Sequence, residues 1–205
     1  MKAIVFLIKW LLIAVGAIST YYLVLFQVNY NGVTGKLIKE VIDPTLHERS
    51  LSVYMDMANT LLETSDITMA SIVKVPVAED VSNEDVEEAM ESIANNEGIR
   101  SVGKLPLSEM VELQTGEPQR FLKIFQYCSP RTAMTMVNHS DAFSAYLPCR
   151  IALIEDKSGQ RWLYTLNMDM MIYGGAPLPP ELHEKAIEVK RIITAIQEGG
   201  AEGDF

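Results

Sequence analysis

Residues 126–156, QYCSPRTAMTMVNHSDAFSAYLPCRIALIED, contain both cysteines of the chain and decide how its second half folds. An apolar run that ends at Cys128 predicts a β-strand. Ser129 and Pro130 then follow as the N-cap and the first helical residue, because proline lacks the N–H that this position leaves without a partner. The helix is expected to carry three apolar side chains inward: Met134, Met136 and Val137.

The placement of the two cysteines predicts that their thiols lie close together. Cys128 stands at a helix N-terminus, and Cys149 stands where the chain enters the next strand. The helix amides, with Arg131 and Arg150 nearby, favour a thiolate at Cys128. One hypothesis is a thiol–disulfide or persulfide relay in which Cys128 attacks and Cys149 resolves. The other is a structural pair, either a disulfide or two buried thiols; closing a loop of this length stabilises by roughly 3 kcal/mol.

The motifs of this segment resemble those of a bacterial protein family. A Cys-x-Pro at a strand-to-helix junction is followed by Leu-Pro-Cys, then by Ile-Ala-Leu-Ile-Glu-Asp and a glycine turn. This order is similar to the family known as domain of unknown function 302. The likeness covers residues 68–199 and is strongest over residues 127–159. The resemblance implies an α+β fold, and it implies no particular reaction.

Composition and charge exclude several classes of protein. The chain is 48% hydrophobic and 21% charged, which is typical of a globular protein. The net charge is −10; residues 1–43 contribute +2, which leaves −12 for the rest and excludes nucleic acid as the expected partner. The sequence has no Cys-x-x-Cys, which excludes zinc ribbons, thioredoxin-type motifs and covalent c-type haem. No cofactor is predicted.

Residues 3–28 predict a single transmembrane anchor in contact with the lipid bilayer. The segment is apolar apart from Lys9 and a few mildly polar residues. At about 1.5 Å per residue it exceeds the roughly 30 Å hydrocarbon core of a membrane. The alternative is a signal peptide cleaved near the small residues 14–17. Because the apolar run continues to Phe26, the anchor is the preferred interpretation.

The flanking charges give the orientation. Lys2 and Lys9 precede the segment, whereas Lys36 and Lys39 follow it, so the positive-inside bias is shallow. The short N-terminal tail and the acidic body favour an N-terminus inside. We therefore expect a single-pass protein of the bacterial inner membrane, with its C-terminal domain in the periplasm.

The rest of the chain divides into a connector, a domain and a tail. The expected organisation is an anchor at 1–28, an amphipathic helical connector at 29–66, an α+β domain at 67–199 and a tail at 200–205. In the connector, Asp43 and Pro44 are expected to start a helix. The domain is predicted to be a mostly antiparallel sheet with helices packed on one face. Its predicted strands are 68–77, 101–107 and 120–127, followed by a hairpin of 150–156 with 161–168. A helix is predicted to begin at the capping box of Ser82 and Asp85. A last helix is predicted to begin at Pro179 and Pro180 and to end at Gly199 and Gly200.

Methionine is the second source of candidate chemistry. Three Met-x-Met pairs occur, and thioethers and thiolates are soft ligands that suit Cu(I). The copper candidates are Met134, Met136, Met168 and Met170. Against a metal site, residues two apart on a helix do not face one another, and methionine is ordinary core filler. The three histidines show no ligand spacing: His47, His139 and His183.

An acidic run over residues 79–91 holds seven carboxylates. It belongs to the predicted helix at 82–97, and it is either a solvated helix face or a docking surface for a basic soluble partner. The sequence contains no established catalytic motif. The preferred hypothesis is a non-catalytic accessory subunit of a larger membrane complex, a respiratory or oxidative enzyme, in contact with other membrane subunits. The alternatives are a thiol-based redox or sulfur carrier and a periplasmic copper-binding module.

Overall fold

A computed structural model describes residues 2–42 and 44–204 of the protein. The chain forms two compact units, Met1–Leu46 and His47–Phe205. The connector expected over residues 29–66 is therefore divided between the two units. Asp43, which was expected to cap a helix of that connector, lies outside the described residues.

Among its described residues, the first unit contains two helices. Helix α1 spans Lys2–Asn29 and helix α2 spans Val33–Ile42. Asn31 and Gly32 between them have positive φ angles of 49° and 74°, which turn the chain from one helix into the next. In α1 the stretch Ile4–Asn29 has a mean hydropathy of 2.0, and it is long and apolar enough to span a membrane.

The second unit contains a five-stranded sheet and seven α-helices among its described residues. The helices are α3 Ser50–Thr64, α4 Ile67–Ala70, α5 Asn83–Asn96, α6 Leu107–Thr115, α7 Pro130–His139, α8 Asp169–Tyr173 and α9 Pro180–Glu202. The strands are β1 Ile72–Pro76, β2 Arg100–Leu105, β3 Leu122–Cys128, β4 Cys149–Glu155 and β5 Arg161–Leu166. A short 3-10 helix, Asp141–Tyr146, joins α7 to β4.

The sheet is antiparallel throughout, with strand order β1-β5-β4-β3-β2. This confirms the predicted α+β class. Each edge strand has a feature that limits further pairing. The edge strand β1 ends in Pro76, which has no N–H to donate, and the pairing of β2 with β3 shifts register between Ser101 and Gly103.

Alternation along the strands places the core on one face of the sheet. Five of the side chains on this face are almost completely buried: Phe125, Tyr127, Ile151, Leu153 and Leu163. Helices α5 and α9 pack against each other and against strands of the sheet. Gln197 of α9 is buried too, and its side-chain amide donates hydrogen bonds to the carbonyl oxygens of Val73 and Leu163. This face carries most of the hydrophobic burial that stabilises the domain.

The predicted capping box at the start of α5 is confirmed. The Ser82 hydroxyl oxygen accepts a hydrogen bond from the Asp85 N–H at 3.0 Å, and the Asp85 carboxylate accepts one from the Ser82 N–H at 3.0 Å. The bonds from the Ser82 hydroxyl and N–H hold the pKa of Asp85 below its ordinary value. Two N–H groups that the first turn would leave without partners are thus satisfied.

Two elements begin differently from the prediction. The helix expected from Pro44 starts at Ser50, whose buried hydroxyl donates to the Gly174 carbonyl at 3.2 Å and fastens α3 to the end of α8. The strand expected from Thr68 starts at Ile72, because the Asp66 carboxylate accepts a hydrogen bond from the Thr68 N–H and caps the short helix α4.

The predicted end of the last helix is wrong. Gly199 and Gly200 do not stop α9, which continues to Glu202 and ends at Gly203, where φ is +71°. The expected tail at 200–205 is therefore helical over its first three residues. The two glycines have a packing role, because a Cβ at position 199 would overlap Ile93 of α5 and a Cβ at position 200 would overlap Met90.

Candidate functional site

A small cavity lies where β3 passes into α7 and the 3-10 helix returns the chain to β4. Its enclosed volume is about 30 Å³, which is room for one or two water molecules or a single ion. Thirteen residues line it, and almost all of the lining surface is apolar. Five of these residues carry sulfur: Cys128, Met136, Cys149, Met168 and Met171.

Four different elements bring the sulfur-bearing residues together. Cys128 ends β3 and Cys149 begins β4, and the antiparallel register pairs Cys149 with Tyr127, the neighbour of Cys128. Met136 comes from α7 and is 5% exposed. Met168 and Met171 come from the start of α8, where residues three apart lie on the same side of a helical turn. The sequence prediction that the two thiols are near each other is supported by this common cavity.

The structure separates the four predicted copper candidates. Met136 and Met168 line the cavity, but Met134 is 58% exposed and Met170 lines a different groove beside Gly174. The expectation that Met134 points inward is wrong, because residues two apart on a helix face different directions and Met136 takes the buried side. Met171 was missed, although its spacing of three from Met168 is a helical signal.

Both cysteines are free thiols, so the disulfide that the sequence suggested is not present. Burial, with a smaller contribution from the nearby Cys128, raises the pKa of Cys149 to about 11. Burial also raises the pKa of Cys128 above its ordinary value. Burial of Cys128 therefore opposes the thiolate that the helix N-terminus was expected to favour. Such thiols are poor nucleophiles at neutral pH.

Two of the three histidines meet in the fold, which the sequence did not predict. The rings of His47 and His183 are stacked with centroids 5.8 Å apart, and the Tyr173 ring lies beside both. The Arg49 guanidinium lies 3.9 Å from the centre of the Tyr173 ring. His139 is elsewhere, beside Phe143. Within residues 2–42 and 44–204, no three His, Cys, Asp or Glu side chains are grouped so as to hold a metal ion.

Part of the acidic helix is neutralised inside the domain. Lys104 forms ion pairs with Glu87 and Glu91, and Lys123 approaches the second Glu87 oxygen at 2.5 Å. Burial alone would raise the pKa of Glu87, but the hydrogen bonds and charges of the two lysines lower it below its ordinary value. With Asp85 in the capping box, three of the seven carboxylates in the run have internal partners.

The domain that contains this cavity matches a known protein family. A family model described as Domain of unknown function DUF302 matches residues 73–198, which is more than half of the chain. The chain belongs to the DUF302 family. The DUF302 domain thus includes all five strands except the first residue of β1, both cysteines and the sulfur-lined cavity. No curated protein matches the chain.

A solved structure shares the fold of the DUF302 domain. It is the crystal structure of the uncharacterized conserved protein DUF302 from Bacillus stearothermophilus, which is similar with a TM-score of 0.51 and 17% sequence identity. The match covers 62% of this chain and 95% of that chain. At this identity the comparison establishes the fold alone.

Proposed function

We propose that this DUF302 protein is a non-catalytic accessory subunit of a larger membrane complex, a respiratory or oxidative enzyme. In this proposal α1 crosses the inner membrane once with its N-terminus inside, and the DUF302 domain works in the periplasm beside other subunits. The observation that carries the proposal is the exposed apolar surface of α1.

Helix α1 is apolar around its whole circumference. Every apolar side chain from Ile4 to Val28 is exposed, and none of the residues in the most apolar stretch of the helix is buried. A helix that is hydrophobic on all sides requires either a protein core or a bilayer around it. The stretch Ile4–Asn29 has 26 residues, which at about 1.5 Å per residue exceeds the roughly 30 Å hydrocarbon core.

The length of α1 favours an anchor over a cleaved signal sequence. The apolar region of a signal peptide covers about 7–15 residues and ends near a site of small residues. Residues 14–17 resemble such a site, but the helix continues through Tyr21, Tyr22 and Phe26 to Asn29. The tyrosines are amphipathic residues of the kind found at membrane interfaces.

The domain also offers a charged surface to a partner. Glu84 and Glu88 lie four residues apart on α5, and Glu84 is close in sequence to the exposed Glu79 and Asp80. Carboxylates arranged in this way attract a basic surface and accelerate its association at low ionic strength. This patch supports an accessory role in which a basic subunit or a basic soluble electron carrier docks against α5.

The test is made on the full-length protein with a C-terminal tag, expressed at native level. We expect it to remain in carbonate-washed membranes, to have an intact mass that includes residues 2–29, and to be cleaved by protease in spheroplasts. In mild detergent it should migrate with defined subunits at a mass well above that of the 22.9 kDa chain.

The matched control exchanges α1 for an unrelated single transmembrane helix. This variant should stay in the membrane, and a smaller complex would show that α1 contributes specific helix contacts. Recovery of the wild-type protein as a monomer in mild detergent, or as a soluble chain shortened at residues 14–17, would contradict the proposal.

A further inference from the structure

We propose that the cavity lined by Cys128, Met136, Cys149, Met168 and Met171 binds one Cu(I) ion. This site is independent of the accessory role, since it lies wholly within the DUF302 domain. The proposal rests on the donor atoms, the size of the cavity, its charge and its access to solvent.

The donor atoms select a soft metal. Thiolates and thioethers bind Cu(I) well, whereas thioethers are poor ligands for Zn(II), Mg(II) and Ca(II), which prefer nitrogen, thiolate or oxygen donors. The cavity concentrates two cysteines and three of the eleven methionines of the chain around one small space. Met136 and Met168 are almost completely buried, so their thioethers are held by packing.

The cavity is large enough for a single ion but not for an organic cofactor. Its volume of about 30 Å³ has room for one or two water-sized guests. An organic cofactor requires a pocket of about 300 Å³ or more. Water is a poor occupant here, because an ordered water needs two to four polar partners and the lining is almost wholly apolar. A metal ion can bind to the sulfur atoms of the same residues and needs no further polar partner.

The charge balance is compatible with a monovalent ion bound by one thiolate. When Cu(I) binds one thiolate the pair is neutral, so it avoids the large cost of burying a net charge in an apolar cavity. The step is Cu(I) plus one Cys–SH giving Cu–S–Cys plus one proton, with no change in the oxidation state of copper or sulfur.

The thiols provide the route by which the ion reaches the cavity. Cys128 and Cys149 are partly exposed, whereas Met136 and Met168 are buried, so solvent reaches the cysteine residues more readily than the two methionines. Because a thiol must lose its proton to bind a metal ion as a thiolate, we expect binding to release one proton and to tighten as the pH rises.

The test is an anaerobic titration of the full-length protein in detergent with Cu(I), in competition with the chromophoric chelator bicinchoninate. We expect one Cu(I) per chain, one released proton and sulfur-only ligation in X-ray absorption spectra. The paired substitution Cys128→Ser with Cys149→Ser should weaken binding by more than about 100-fold, since even residues behind the ligands contribute about 10- to 100-fold.

Methionine variants provide the matched comparison. Met136→Leu with Met168→Leu conserves volume, so the fold should survive while Cu(I) affinity falls at least about tenfold. Met134→Leu and Met170→Leu, which lie outside the cavity, should leave the affinity unchanged. Circular dichroism checks that each variant is folded.

Three results would overturn the copper site. The first is an equal Cu(I) affinity of the folded wild type and the folded double variant Met136→Leu with Met168→Leu. The second is nitrogen or oxygen ligation of copper in the X-ray absorption spectrum. The third is stoichiometric Zn(II) binding that Cu(I) does not displace. None of these results depends on a membrane partner, so failure here is distinguishable from failure of the accessory role.

Discussion

Gly200 of α9 lies directly against Met90 of α5, so closely that a Cβ at position 200 would overlap the Met90 side chain. Met90 is completely buried, and its sulfur would be 3.3 Å from the added carbon. The glycine therefore sets how closely the two helices approach over the sheet.

We expect Gly200→Ala to destabilise the domain. Overpacking of a tight core costs about 1–3 kcal/mol, and the better helix propensity of alanine offsets up to about 1 kcal/mol of that. The net loss should lower the thermal midpoint by several degrees, measured by circular dichroism. Gly175→Ala is the control, since an added Cβ there meets no atom within 4 Å. If the two variants were equally stable, α5 and α9 could move apart to admit the extra methyl group with no loss of unfolding free energy.

The capping box gives a prediction for local stability. Ser82→Ala removes the side-chain acceptor for the Asp85 N–H and should cost about 1 kcal/mol in urea unfolding. Ser82→Asp restores an N-cap acceptor and should recover part of that loss. If Ser82→Ala unfolds at the same urea concentration as the wild type, then solvent replaces the cap at no cost.

Glu87 makes the stability of the domain depend on pH. Its pKa is lower in the folded protein than its ordinary value, so its contribution is present above that ordinary value and is lost as the pH falls through the folded pKa. We expect Glu87→Gln to cost about 1–3 kcal/mol at pH 7, because a hydrogen-bonded charge is removed from Lys104 and Lys123.

The measurement for Glu87 is urea unfolding of both proteins at neutral and acidic pH. The difference between wild type and Glu87→Gln should shrink once the pH is well below 4.5. The same substitution at the exposed Glu84 is the control and should have little effect at either pH. A difference that persists in acid would assign the loss to packing and not to the carboxylate charge.

The thiols should react slowly with alkylating agents. At pH 8 a thiol with a pKa of about 11 is ionised to about one part in a thousand, so Cys149 should label far more slowly than a free peptide thiol. The alkylation rate of Cys149 should rise about tenfold for each pH unit while the pH is below the thiol pKa. Peptide mass spectrometry after timed iodoacetamide exposure measures both cysteines. Fast labelling of Cys128 at pH 6–7 would instead favour the thiol relay.

Local signals in the sequence predicted much of the fold. The capping box, the apolar run that forms β3, and the turn between β4 and β5 depend on residues close together in the chain. The confirmed features follow from such short-range rules.

Contacts between segments that are distant in the chain account for the predictions that were wrong. Glycine often ends a helix, but Gly199 and Gly200 are helical and pack against Ile93 and Met90, more than a hundred residues earlier in the chain. The cysteine pair was visible as a candidate site, but Met171 joined it only through the packing of α8 against the rest of the domain. The raised thiol pKa values depend on burial, which the helix N-terminus alone does not reveal.

The two edges of the sheet limit strand pairing with other chains. An open sheet edge is a template on which other chains can pair and assemble into aggregates. Pro76 on one side and the register shift beside Gly103 on the other interrupt such a template at both margins. Both margins are therefore poor templates for continuous β-structure growing from one molecule to the next.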